Sequence, residues 1–357
     1  MRDATQTRSD IGLAATGGIV SDGANAALGP RMQNPVARRR RRGVMLAGGD
    51  GIRLQPLTRL ICGDDRPKQF CPLPDACNLP GHTVRRAERS IPAAQLLFAL
   101  THTHREFYIH DPDGAGSQRI VQPANKSTAP PILFSALSIE GMDDSLIAVL
   151  PGDHFYCDED RFTAALESAF EIAAKRPSKV VLIGARPDRP EVEYGWIALG
   201  AAVGHESGEL YRVTGFQEKP TLDPARTLPG DRSAWNTFVM VGHVRPFLEM
   251  AAQAIPAVLE RVRGAELWAG SETYIGESVY NELHSSDFSK QVLSPEAMRL
   301  LVLRVRDPGW RDLGHPGRVL DVLEESGSRP RWWTKELRKG MAAALASDAP
   351  GAKSAVA

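Results

Sequence analysis

An excess of charge of either sign is what this sequence lacks first: 43 lysines and arginines face 43 aspartates and glutamates. Without a basic surplus, nothing global points to nucleic acid as a partner. Long apolar runs are missing too, and no stretch approaches the roughly 18 residues of a membrane span. The N-terminus carries no compact apolar segment behind basic residues, so no secretory signal is expected. Cysteine is scarce, and Cys62, Cys71, Cys77 and Cys157 form no CxxC pair. That argues against a zinc site or a disulfide framework and for reduced thiols in a cytoplasmic protein. Internal repeats are absent, including the hexapeptide repeats that build a left-handed β-helix. What is present is a chain of 357 residues, 42% hydrophobic, ample for one large domain or two small ones.

Residues 1–42 read as a disordered N-terminal tail rich in Gly, Ala, Ser, Asp and Asn, ending in five arginines, Arg38 to Arg42. Such a run binds polyanions or forms a solvated arm, and the second use is the commoner. From Gly43 apolar runs alternate with helical patterns. The strands expected are Val44–Ala47, Gln95–Leu100, Arg119–Gln122, Ser145–Leu150 and Lys179–Ala185, with helices near Thr83–Ser90, Ala129–Ile139 and Arg161–Lys175. This alternation predicts an α/β fold: a mostly parallel sheet flanked by helices on both faces. After about residue 190 a β-rich part follows, with strands at Tyr194–Leu199, Tyr211–Phe216 and Trp235–Val241. Helices are expected at Pro246–Arg263 and Glu272–Leu283, and a late strand at Leu300–Val305. Residues 326–357 are read as a C-terminal helix, around Trp332–Leu345, and tail.

The segment GVMLAGGDGIRLQPLTR, Gly43 to Arg59, puts three glycines at the end of an apolar strand. Ligands of an open parallel sheet bind beyond the carboxyl ends of its strands. A glycine turn there lets backbone N–H groups approach an anion, and Arg53 adds a forked cation suited to phosphate. The segment is neither a Walker A loop nor a dinucleotide fingerprint, since no Gly-Lys-Ser/Thr follows and Leu54 stands at the third glycine of the fingerprint. A second cationic segment, RPKQFCPL, follows with Arg66 and Lys68 around Pro67.

Together these segments resemble the signature of the sugar-phosphate nucleotidyltransferases, most of all the pattern of the mannose-1-phosphate guanylyltransferases. Further blocks arrive in the family's order: PANKSTAP (123–130), LPGDHF (150–155), EYGWI (193–197), FQEKP (216–220), WNTFVMVG (235–242) and GWRDLGHPGRV (309–319). The resemblance covers about 43–325, read as one catalytic domain. It implies a Rossmann-like, GT-A-like nucleotidyltransferase fold with a β-rich sugar-binding part. The implied reaction transfers a nucleotidyl group from GTP, or another nucleoside triphosphate, to a sugar 1-phosphate and releases pyrophosphate. The sequence alone leaves open another base, another hexose, a weakened binding or regulatory protein, and a homodimer.

The resemblance also implies site residues. Leu46, Ala47, Gly48, Gly49, Gly51 and Arg53 would cradle the triphosphate, with Lys68 on the reacting phosphates. Asn125 and Thr128 would meet the base, although Asn125 equally suits a helix N-cap. Glu193, Gly195, Glu218, Lys219 and Asn236 would hold the sugar phosphate. Asp153 and Asp312, each read as lying just beyond the carboxyl end of an apolar strand, would bind Mg²⁺, since hard carboxylate oxygens suit that ion. Arg53, Lys68, Asp153 and Asp312 would be the catalytic set. Two carboxylates converging without a cation repel, so Asp312→Asn is expected to leave the metal-free protein as stable or more so. His154 has no assigned role, and Trp196, Phe216, Trp235 and Phe238 read as core. The chain departs from the family pattern at Ile52, where Thr or Ser is usual, and at Ser127, which replaces a common glycine or Arg-Asn arrangement.

Overall fold

The computed structural model describes residues 38, 40–110, 117–141, 145–204, 209–221, 232–265, 267–269, 272–306 and 309–335. Residues 1–37 and 39 of the tail assigned to 1–42, and the part of the C-terminal helix and tail from residue 336, lie outside them.

Thirteen strands form two sheets among these residues: β1 (Arg41–Leu46), β2 (Leu96–Thr101), β3 (Gln118–Gln122), β4 (Leu146–Pro151), β5 (His154–Tyr156), β6 (Val180–Ala185), β7 (Gly195–Ala202), β8 (Glu209–Glu218), β9 (Ser233–His243), β10 (Leu267–Ala269), β11 (Thr273–Ile275), β12 (Leu300–Val305) and β13 (Trp310–Asp312). The large sheet has eleven strands in the order β10-β11-β3-β2-β1-β4-β9-β6-β12-β8-β7. Eight strands run one way and β8, β9 and β10 run against them, so the sheet is mixed, with parallel pairing unbroken from β11 to β4 and again between β6 and β12. Alternate strand residues serve opposite faces. Val44, Ile147, Val149, Val180 and Leu182 enter one core with the helices Ala129–Ile139, Val244–Ala254 and Pro256–Arg263. Met45, Ala148, Leu150, Val181 and Ile183 enter the other with the helices Leu79–Glu88 and Glu159–Lys175. A sheet covered on both faces explains the nearly unbroken apolar strands.

The sequence expectations need correction at five places. β1 begins at Arg41, inside the arginine run assigned to the tail. Arg41 is buried: it donates to Glu167 and to the Ser90 carbonyl, and stacks 4.5 Å from the Phe170 ring. The long helix expected over Pro246–Arg263 is two, Val244–Ala254 and Pro256–Arg263. Pro256 has no N–H and pushes Ile255 out of helical geometry (φ −137°, ψ 55°). The helix expected over Glu272–Leu283 is strand β11, then Gly276, then a short helix Glu277–Asn281. Thr, Tyr and Ile favour a strand, and β3 offers a parallel partner. Asp312 is not beyond the end of a large-sheet strand. It lies on β13, which pairs antiparallel with β5 as a separate two-stranded ribbon. The C-terminal helix expected from about Trp332 has not begun at residues 331–334, which are turn and irregular: Trp332 Nε1–H donates to the Pro72 carbonyl, and Trp332 and Trp333 pack on the cluster of Leu54, Leu73 and Leu313.

Candidate functional site

A cleft of about 450 Å³ opens beyond the carboxyl ends of β1, β3 and β4, facing β7, β8 and β9. The glycine loop forms one wall. Gly51 is left-handed (φ 61°), and a Cβ there would lie 2.8 Å from the Lys68 backbone nitrogen. Only glycine lets this loop interlock with the lysine segment. A Cβ on Gly48 would lie 2.7 Å from Thr101 Oγ1, whereas one on Gly49 meets nothing, so Gly49 faces open space. Gln69, which sequence reasoning passed over within RPKQF, ties the two segments together. Its Nε2 donates to the Ala47 carbonyl at 3.0 Å and to the Gly49 carbonyl at 2.6 Å.

The centre of the site is a buried charge cluster. Lys68 Nζ donates to Asp312 Oδ1 at 2.7 Å and lies 3.0 Å from Asp153 Oδ2, with Lys68 only 7% exposed. Asp153 follows β4, and the β5–β13 ribbon places Asp312 opposite His154, so residues far apart in sequence meet. Burial alone would lower the Lys68 pKa, but the charges of Asp153 and Asp312 outweigh it and the value is raised. Burial would raise the Asp312 carboxyl, but the charges of Lys68 and then Arg318 hold it well below the usual carboxylate range. Arg318 was missed by sequence reasoning. It donates to the Asp312 carbonyl at 3.3 Å, pairs with Glu191 at 3.2 Å and stacks 4.4 Å from the Tyr194 ring.

Ligand atoms of Asp153, His154 and Asp312 lie within 4.8 Å of one another. His154 Nδ1 accepts the Trp310 indole N–H at 3.2 Å, and burial keeps the ring neutral. The remaining ring proton is therefore on Nε2, which makes that atom a donor and not a ligand. The oxygen set of Asp153 and Asp312 is the part that fits a hard divalent cation, and it already draws one cation, the Lys68 ammonium.

The candidates line the cleft with three exceptions, Ala47, Gly51 and Lys68. Leu46, Gly48, Gly49, Arg53, Asn125, Thr128, Asp153, Glu193, Gly195, Glu218, Lys219, Asn236 and Asp312 border it. Gly51 and Lys68 border an adjoining pocket that shares Arg53, Asn125, Asp153 and Asp312. Ala47 is buried and contributes its carbonyl to Gln69. Asn125 is engaged at both ends: Nδ2 donates to Asp50 at 2.9 Å and Oδ1 accepts from the Ser127 N–H at 2.9 Å. Asp50 also meets His104 Nε2 at 3.2 Å. Thr128 Oγ1 accepts from the Phe288 N–H at 2.8 Å. Arg53 pairs with Glu193, joining the glycine-loop wall to the wall of β7 to β9. Gly195 sits opposite Glu218, and a Cβ on Gly195 would lie 2.6 Å from Glu218 Oε2. Burial, then the charge of Asp287, raises the Glu218 pKa. Asp287 and Ser289, also missed, close the cleft beside Asn236, whose Nδ2 donates to Ser289 Oγ at 3.3 Å.

Among the described residues three that are not glycine have positive φ: Ser127 (67°), Lys219 (47°) and Phe238 (59°). All three border the cleft. Non-glycine residues there are uncommon, and such strain gathers at binding sites. Phe238 packs against the core as expected and also borders the cleft, its N–H held by Asn236 Oδ1 at 2.9 Å. Trp196 and Trp235 are core as expected.

Comparison with known proteins completes the description of the site. The nucleotidyl transferase family model matches residues 42–327. The chain is 30% identical over 298 residues to the xanthan biosynthesis protein XanB of Xanthomonas campestris pv. campestris strain B100, covering 80% of this chain and 60% of that protein. It is 27% identical over 282 residues to the mannose-1-phosphate guanylyltransferase of Escherichia coli K12, covering 76% and 57%. The chain therefore spans about three fifths of the length of these curated relatives. Among solved structures, a mannose-1-phosphate geranyltransferase from Thermus thermophilus superposes with a TM-score of 0.66 at 30% identity, over 77% of this chain and 76% of that one. With the match running across most of its length, and with the glycine loop, the lysine and the two carboxylates gathered at the cleft and its adjoining pocket, the chain belongs to the nucleotidyl transferase family.

Proposed function

We propose that this chain carries the catalytic domain of a sugar-1-phosphate nucleotidyltransferase, using GTP and mannose 1-phosphate and forming GDP-mannose and pyrophosphate. The observation that carries this reading is the Lys68 ammonium held between Asp153 and Asp312, where the glycine-loop wall meets the β7–β9 wall. The choice of GTP and mannose follows the names of the relatives.

In this reading an oxygen of the sugar phosphate attacks the α-phosphorus of the triphosphate. A phosphorus–oxygen bond forms as the bond to the bridging oxygen breaks, and pyrophosphate leaves. Such chemistry needs no protein nucleophile; it needs in-line positioning and charge neutralisation. The open face at Gly49 and the loop N–H groups receive the phosphates. Lys68 and Arg53 exchange their carboxylates for phosphate oxygens. Glu193, once released by Arg53, accepts hydrogen bonds from sugar hydroxyls beside Glu218 and Asn236. A divalent cation, Mg²⁺ by the hardness of its donors, would be held by Asp153 and Asp312 and would supply charge neutralisation at the reacting phosphates.

The test is a matrix of nucleoside triphosphates against sugar 1-phosphates with Mg²⁺, scored by pyrophosphate release. Release that is strongest with GTP and mannose 1-phosphate supports the assignment. A different best pair reassigns the substrate within the class. No release from any pair sinks the catalytic reading and favours a nucleotide-sugar-binding protein.

A further inference from the structure

Cys62 and Cys71 stand outside the cleft and have no place in the reaction above. Cys62 ends the helix Gln55–Cys62, and Cys71 follows the turn Lys68–Phe70. Gly63, left-handed at φ 82°, lets the chain turn after Cys62 and come back. The two sulfurs end 3.4 Å apart, with Cys71 fully buried and Cys62 partly exposed. The returning segment, Gly63–Phe70, contains Lys68 and Gln69. Its far end is tied to Lys68 directly, since the Cys71 N–H donates to the Lys68 carbonyl at 3.1 Å. Burial, and then the neighbouring Cys62 sulfur, push the Cys71 thiol well above its usual range against the opposing charge of Arg66, so Cys71 keeps its proton until it reacts.

We propose that Cys62 and Cys71 are a dithiol modification site, converted by oxidants of the peroxide class to an intramolecular disulfide that restrains the Lys68 turn. The partly exposed Cys62 sulfur, its proton given up to solvent, attacks a peroxide oxygen; the S–O bond forms, the O–O bond breaks, and the hydroxide released takes up a proton as the first water, leaving a sulfenic acid. The Cys71 sulfur then attacks the Cys62 sulfur. The S–S bond forms, the S–O bond breaks, and the Cys71 proton leaves with the second water. Two thiols are oxidised and one peroxide is reduced. The sulfurs have only about 1.4 Å to close before reaching bonding distance. Buried Cys71 cannot meet the oxidant itself, so it serves to resolve the sulfenic acid before further oxidation.

The effect on Lys68 rests on the function proposed above; the disulfide does not. The experiment treats the full chain with hydrogen peroxide, alkylates it and maps it by non-reducing mass spectrometry. The expected product is one Cys62–Cys71 crosslink, reversed by dithiothreitol and absent from Cys62→Ser and Cys71→Ser. Amide exchange over residues 63–71 should slow on oxidation. The nucleotide KM of the oxidised protein should rise severalfold, more than the sugar-phosphate KM, while the Ser variants ignore peroxide. Cys62→Ser, at the partly exposed position, keeps the test valid if Cys71→Ser does not fold. The proposal is overturned by Cys62 and Cys71 both remaining alkylatable, by a crosslink through Cys77 or Cys157 instead, or by unchanged amide exchange in the crosslinked protein. A crosslink with slowed exchange in a chain that turns over no nucleotide upholds the dithiol site and sinks the functional reading.

Discussion

Lys68 reverses an expectation drawn from its neighbours. Two facing carboxylates repel, so removing one charge is expected to be harmless to the metal-free fold; with an ammonium on both of them, removing one deprives a buried cation of its shorter contact. Asp312→Asn should therefore lose about 3–5 kcal/mol at neutral pH, the range for breaking a buried pair, and turnover should fall by a factor on the order of a hundred or more. The sign follows from the depressed Asp312 pKa. Its stabilisation is present above the unfolded value near 3.9 and is lost as pH falls through the folded one. The gap between wild type and variant in urea unfolding should be constant from neutral to mildly acid pH and close below about pH 4. Equal stability at pH 7 would show that Lys68 does not bind this pair in solution. Lys68→Ala should be inactive too, and less stable, but for the opposite reason: two carboxylates are left facing each other. Millimolar Mg²⁺ should then raise its Tm more than it raises that of the wild type. Equal shifts would argue against a shared ion at Asp153 and Asp312.

Elements differ in how plainly they can be read. The helix Ala129–Ile139 was legible to the residue, because Pro130 and Pro131 fit only a first turn. β2, β4, β6 and β12 were legible within a residue or so, as short apolar runs between polar turns. β5 and β13 were not, since three residues carry no period; yet this ribbon joins the two carboxylates. Their convergence was legible only through the family resemblance. Gln69, Asp287, Ser289 and Arg318 were missed because nothing local marks a residue whose partner is distant in sequence. The register of β7 with β8 yields its own test. Gly195→Ala drives a Cβ against Glu218 Oε2, which should raise the sugar-phosphate KM about tenfold, the equivalent of one modest polar contact, and leave the nucleotide KM unchanged. Asn236→Ala should follow the same pattern. Glu193→Gln should move both constants, because its partner Arg53 belongs to the other wall. If all three changes affect both substrates equally, the cleft is not divided in this way.

At the scale of the whole molecule, Arg41 ties the first strand of the sheet to a helix far along the chain through Glu167. Arg41→Ala leaves Glu167 half-buried without its cation and should cost about 3 kcal/mol. A Tm indistinguishable from wild type would return the arginine run to the solvated arm expected from composition. The same principle of internal pairing governs how the molecule meets its substrate. The chain is neutral overall, and Arg53 and Lys68 already hold carboxylates of their own. A polyanion approaching from solution therefore meets matched charges and is not drawn in by a long-range field. Capture becomes an exchange of partners after contact. The association rate of the triphosphate should accordingly stay nearly flat across a tenfold range of ionic strength, where a steered encounter would slow steeply.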